Sequence, residues 1–120
     1  MKSKKDLGEK GEAIAIDYLR DSGYNILQTN FRSKFGEIDI IAKEKDTLVF
    51  IEVKTRTSKQ FGLPEESIRP WKLKTIERVG SLFRLLHPDV PEAERIDVVA
   101  IELDEDGNLI RKEIIKNAFL

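Results

Sequence analysis

A chain of 120 residues, 40% apolar and 36% charged, suits one soluble globular domain spanning residues 1–120 and does not read as a disordered tail. It has no cysteine and one histidine, which excludes a disulfide scaffold, a thiolate zinc site, a cysteine nucleophile and a multi-histidine metal site. Net charge is −1, but residues 1–88 carry 17 Lys/Arg against 13 Asp/Glu and residues 89–120 carry 4 against 9, so a basic body meets an acidic C-terminal edge.

The start, MKSKKDLGEKGEA, has basic residues but no apolar stretch behind them, so no secretory signal is visible and the expected location is the cytoplasm. No apolar run approaches the ~18 residues needed to cross a bilayer, so no membrane partner is expected. Residues 6–22 read as a helix, with Leu7, Ile14, Ala15, Tyr18 and Leu19 on one broad arc and Gly23 as its stop. Residues 24–31, 37–43 and 48–54 read as strands. The last two are joined by the polar turn Glu44-Lys45-Asp46-Thr47 and form a hairpin. Residues 55–66 have loop composition. A second helix is predicted from about Pro70 to Leu86, with Pro70 near its first position and His87-Pro88 as its stop. Strands at 95–103 and 109–115 flank a turn at Asp106-Gly107-Asn108. The order α-β-β-β-α-β-β implies an α/β domain, a central mixed sheet flanked by helices.

The hairpin carries the chemistry. A four-residue loop pairs Lys43 with Leu48, and counting back puts Asp39 opposite Glu52. Alternation then aims Asp39, Glu52 and Lys54 at one face, with Phe50 and Ile41 beside them, and turns Ile38, Ile40, Val49, Ile51 and Val53 to the other. Two carboxylates can hold one hard divalent cation through oxygen, which favours magnesium or manganese. A neighbouring lysine can orient water or offset charge developing on phosphorus. From spacing alone, a cross-strand ion-pair ladder accounts for these charges at least as well. Two details favour a site: the strands are the most apolar in the chain, and Phe50 and Ile41 share the charged face.

Gly36-Glu37-Ile38-Asp39, twelve residues, and then Glu52-Val53-Lys54 resemble the D…ExK signature of the restriction-endonuclease-like nuclease superfamily. Within it the chain is similar to the YraN-like family of small bacterial proteins. The likeness runs from Gly8–Leu19 through Asn30 and Arg32, Gly36–Ala42, Phe50–Lys54 with Arg56, and Phe61-Gly62, to Arg95-Ile96-Asp97-Val98-Val99. The resemblance implies a restriction-endonuclease-like fold. It also implies a nuclease site in which Asp39 and Glu52 bind the metal, the Val53 carbonyl completes its shell and Lys54 is the catalytic lysine. Glu12 matches the helix glutamate shared with archaeal Holliday-junction resolvases, and so is a further candidate ligand. It lies at the edge of the buried arc, where a rim glutamate with its head in water is the alternative.

Lys72 matches a lysine of the family pattern, which makes it a candidate phosphate contact. On the stripe of Ile76, Val79 and Phe83, it also reads as a snorkelling lysine. Arg32, Arg56 and Lys59 are further candidate phosphate contacts, each alone an ordinary surface charge. Glu37 is expected to pair with Lys54, and Trp71 to pack beside Pro70 and Leu73 rather than stack on a base. His87 is expected to cap a helix, and Asp97 to anchor Arg95 or a loop. The reading is a magnesium- or manganese-dependent endonuclease acting on DNA, branched or with single-stranded ends, in repair or recombination. Its rivals are a non-catalytic nucleic-acid-binding accessory protein that keeps the fold, and a purely structural interaction domain. Monomer and homodimer both remain open.

Overall fold

The computed structural model describes residues 3–57 and 62–119. Helix α1 (Lys4–Asp21) begins two residues before the expected start because Ser3 caps it, its Oγ accepting from the Asp6 N–H at 3.1 Å. Its buried stripe is Leu7, Gly11, Ala15 and Leu19, with Ile14, Ile16 and Tyr18 packed alongside. Gly23 follows in a left-handed conformation (φ 94°), and the Tyr24 N–H closes on the Leu19 carbonyl at 2.9 Å.

The strands are β1 (Asn25–Ser33), β2 (Gly36–Glu44), β3 (Thr47–Thr57), β4 (Ala93–Leu103) and β5 (Leu109–Ile115), arranged in that spatial order. All neighbours are antiparallel except β3 and β4, which pair parallel across helix α2 (Trp71–Leu86). The predicted mixed sheet between helices is therefore what forms, in the order expected. Strand β3 runs to Thr57, three residues past its predicted end. There β4 offers it a continuous partner: Thr55, Arg56 and Thr57 face Ile101, Glu102 and Leu103. The two threonines of Thr55-Arg56-Thr57 favour a strand, but they open a polar run with Gly62 and Pro64 that reads as loop, so the partner decides. The rest of the predicted loop contains a 3-10 turn, Pro64–Ser67.

Two cores sandwich the sheet. Under α1 lie Ile40, Ala42, Val49, Ile51, Val99 and Ile101. Under α2, against its Ile76, Val79 and Phe83, lie Phe31, Ile38, Ile41, Leu48 and Phe50. The hairpin pairs Lys43 with Leu48 as expected, and Glu44 with Thr47 closes it to the two-residue turn Lys45-Asp46. Ile38 departs from expectation, since it joins the α2 core while Ile40 joins the α1 core. Between the pairs Thr29–Ile40 and Phe31–Ile38, Asn30 adopts a left-handed φ of 50°, and the side-chain alternation is lost there.

Asp97 is fully buried and anchors both Arg95 and a loop. Its carboxylate accepts from Arg95 Nε at 2.9 Å, from the Tyr24 hydroxyl at 2.7 Å and from the Asn117 N–H at 3.1 Å. Arg95 also bonds Glu44, which Lys116 Nζ meets at 2.9 Å. At the end of α2, the His87 ring stacks on Phe83 with centroids 4.0 Å apart, and its Nδ1 lies 3.0 Å from the Phe83 carbonyl oxygen. Its helix-capping role is thus observed. Among the described residues no helix is long and apolar enough to cross a membrane.

Candidate metal and nucleic-acid site

The regular β2–β3 ladder stops at the pair Ile40–Ile51. One step on, a side chain takes over the bonding: Asp39 Oδ2 accepts from the Val53 N–H at 2.8 Å. Asp39 is therefore held against the backbone of the Glu52-Val53-Lys54 segment, as the hairpin count required. Burial pushes its carboxyl up to about 6. The Val53 N–H opposes that shift, and the charge of Glu12 adds to it.

Glu52 is more exceptional. Its side chain is 13% exposed, and its Oε2 is buried without a hydrogen-bond partner. Lys72 Nζ stands 3.7 Å away, a charge contact too long for a hydrogen bond. Burial, followed by the charge of Asp39, pushes the Glu52 carboxyl up to about 7, while Lys72 and Lys54 pull it down. An orphaned buried carboxylate oxygen costs free energy unless something meets it.

The expected single patch is divided. Asp39 lines a hollow of about 530 Å³ with Glu12, Asn30, Val53 and Thr55. Glu52 lines a smaller cleft of about 130 Å³ with Arg69, Trp71 and Lys72. Lys54 borders both. Among the described residues no three His, Cys, Asp or Glu side chains gather closely enough to hold a metal ion. Glu12 shares the hollow of Asp39 and acts on it by charge, whereas Glu52 lines the other cleft. The Glu12 Oε2 is 3.4 Å from Asn30 Nδ2, which also donates to Glu37 at 2.9 Å.

Other candidates move. Glu37 pairs with Arg32 at 3.4 Å rather than with Lys54, because Arg32 is its cross-strand partner on β1. Arg32 remains 76% exposed. Lys72, expected as a phosphate contact, sits in the carboxylate cleft beside Glu52 because the buried stripe of α2 carries it inward. Arg56 lies two residues beyond Lys54 on β3, in register with Glu102. Lys59 and Phe61 lie outside the described residues. Trp71, expected to pack, is 63% exposed at the cleft mouth. Sequence reasoning gave Asn30 no structural role, yet it bridges two carboxylates. The available signal was its residue type, since asparagine tolerates the left-handed backbone that aims its amide between them.

The model of the uncharacterised protein family UPF0102 matches residues 11–101. The chain belongs to that family. It is 47% identical to a UPF0102 protein of Caldicellulosiruptor bescii over 116 residues, which cover 96% of this chain and 98% of that one. Identity is 46% to a UPF0102 protein of Syntrophus aciditrophicus, over 93% and 87% of the two chains. It is 44% to one of Clostridium botulinum, over 96% and 94%. This is the YraN family that the motif series resembles, and the likeness reaches nearly the full length of the chain.

Proposed function

We propose that this UPF0102 protein is a divalent-metal-dependent endonuclease that hydrolyses DNA phosphodiester bonds. The observation that carries the reading is the buried oxygen of Glu52 that no hydrogen bond meets, within reach of the charge of the backbone-anchored Asp39 carboxylate. Two largely enclosed carboxylates, each raised by burial and Glu52 also by the charge of Asp39, suit a hard cation, because the cation relieves those costs. The donor set is oxygen throughout, which favours magnesium or manganese over softer metals.

Asp39 and Glu52 would hold the ion, with the Val53 carbonyl as a third oxygen. Glu12, tied to Asn30, acts on Asp39 through its charge. A bound ion supplies acidification of water and neutralisation of charge on the phosphate. The residues of the chain do the rest. Lys54, which borders both hollows, orients the attacking water and stabilises charge on the non-bridging oxygens. Lys72 offsets the Glu52 charge in the free protein, and its ammonium would be available to a phosphate were a cation to take over that task. Arg32, Arg56 and Lys59 serve as outer phosphate contacts.

The test is single-turnover cleavage of labelled branched, flapped, single-stranded and duplex DNA with magnesium or manganese. Lys54→Ala should lower the rate roughly 10²–10³-fold, the cost of removing one transition-state donor. Metal binding should persist, because the oxygen ligands remain. Lys54→Arg should not restore the rate, since a planar guanidinium places its charge differently from an ammonium. Cleavage that survives in Lys54→Ala rejects this site. A metal-bound wild type that cuts none of these substrates rejects the enzyme and favours a DNA-binding accessory role.

A further inference from the structure

We infer that the outer flank of α2, from Trp71 to Arg78 and across to the β1–β2 turn, is a track that binds an unpaired nucleic-acid strand and leads it to the Glu52–Lys54 cleft. The inference rests on the nuclease reading for the strand's destination, and on its own observations for the binding. Trp71 is the first of these. A helix-terminal indole normally buries its large apolar surface, yet this one is 63% exposed beside Glu52, Lys54 and Lys72.

Helical spacing supplies the second. Ile76, Val79 and Phe83 face the core, so Trp71, Lys74, Thr75 and Arg78 share the outer flank on the side of the β1–β2 turn. Trp71 and Arg78 are two turns apart, roughly 10 Å along the axis. The turn is fixed against this flank. Gly36 has a φ of 139°, and a side chain there would meet the Thr75 methyl at 2.5 Å. The close contact brings Phe35, 40% exposed, under the guanidinium of Arg78 at 4.1 Å from its ring centre, with Lys34 Nζ at 5.2 Å. An arginine stacked on an aromatic ring keeps its N–H edges free for phosphate while losing little further freedom.

Charge is the third observation. Among the described residues none of Lys34, Arg69, Lys74 or Arg78 is in an ion pair, and none of the side chains named on the track is acidic. A chain of net charge −1 therefore keeps a run of unpaired cations next to an exposed indole. Cations beside a stacking platform match a single strand, whose bases present open faces. A duplex hides those faces, and an acidic peptide has none.

Trp71 is the chain's one tryptophan, so its emission reports on the track directly. The intact protein is titrated in EDTA, which prevents metal-dependent cleavage, with oligothymidylate, a duplex of equal length and polyglutamate. Oligothymidylate should quench the emission saturably, with an affinity that falls as salt rises. Trp71→Ala, followed by anisotropy of labelled oligothymidylate, should weaken binding roughly tenfold, and Trp71→Phe should restore most of it. Arg78→Glu with Lys34→Glu, both on the surface, should weaken it at least as much. Equal quenching by duplex, quenching by polyglutamate, or unchanged affinity in the charge-reversed variant would each overturn the track. Strand-selective quenching without cleavage under magnesium leaves the track standing and removes the nuclease. Cleavage of single strands that is indifferent to Arg78→Glu with Lys34→Glu does the reverse.

Discussion

At the scale of single residues, Asp39 and Glu52 decide how the metal-free protein responds to pH. Both carboxyls lie above their ordinary values of 3.8 and 4.5, chiefly through burial. The native state therefore holds protons that the unfolded chain releases first. This contribution to stability is full below about pH 4 and is lost as pH rises through 6 and 7. The sign is opposite to that of Glu44 and Glu65, whose carboxyls are held low in the native state, Glu65 chiefly by Arg111 and Glu44 by Lys116 and Arg95 against the effect of burial. Glu52→Gln removes the penalty without removing volume. It should leave stability near wild type at pH 4 and raise it by roughly 2 kcal/mol at pH 8. Urea unfolding of both proteins across that range, in EDTA, checks this. A gap that is constant with pH would mean that Glu52 is not strained by its charge.

At the scale of elements, α1 is pinned to β3 at one point beside the site. Gly11 lies so close to Thr55 that a Cβ would fall 2.0 Å from its Oγ1 and 2.9 Å from its Cβ. Glu12 is the next residue along α1, and Lys54 the one before Thr55, so this contact sets the width of the hollow that holds Asp39. Gly11→Ala should push the helix outward and cost about 1–3 kcal/mol, in the manner of an overpacked core. Thr55→Ala should recover part of that loss, since most of the clash is with its hydroxyl and methyl. Melting of the two single variants and the double measures the coupling, and strict additivity would show that the two residues do not press on each other. The fit is invisible to hydrophobic patterning. Residues 6–22 read as an amphipathic helix, but the pattern of large apolar residues passes over Gly11.

At the scale of the whole molecule, metal binding couples the site to global stability. Two cores lie on either side of one sheet, and Asp39 and Glu52 sit where the β2–β3 ladder ends. An ion bound there by the native state alone should stabilise it by about 2.7 kcal/mol at a hundredfold excess over Kd, a rise in Tm on the order of 10 °C. Magnesium or manganese should produce this shift in wild type and none in Asp39→Asn with Glu52→Gln. Differential scanning fluorimetry with and without the ion decides the matter. An equal shift in the double variant would move the ion elsewhere.

Much of this architecture is written in local patterns. The period of apolar residues marks both helices, continuous apolar runs mark the central strands, and the polar turn at 44–47 sets the hairpin register that brings Asp39 to Val53. Glu52-Val53-Lys54 and Asp97 were legible because a charge inside an apolar strand is costly and needs a reason. Features that depend on a distant partner were not legible. β3 extends to Thr57 because β4 lies beside it. Ile38 changes core because Asn30, on the neighbouring strand, twists the pairing. Glu37 chooses Arg32 over Lys54, and Lys72 turns toward Glu52, because each answers the nearest opposite charge in space. Trp71 stays exposed although Pro70 and Leu73 lie close to it in sequence. Sequence spacing reports the direction a side chain takes from its own backbone, whereas its partners come from whichever element the packing of the two cores brings across.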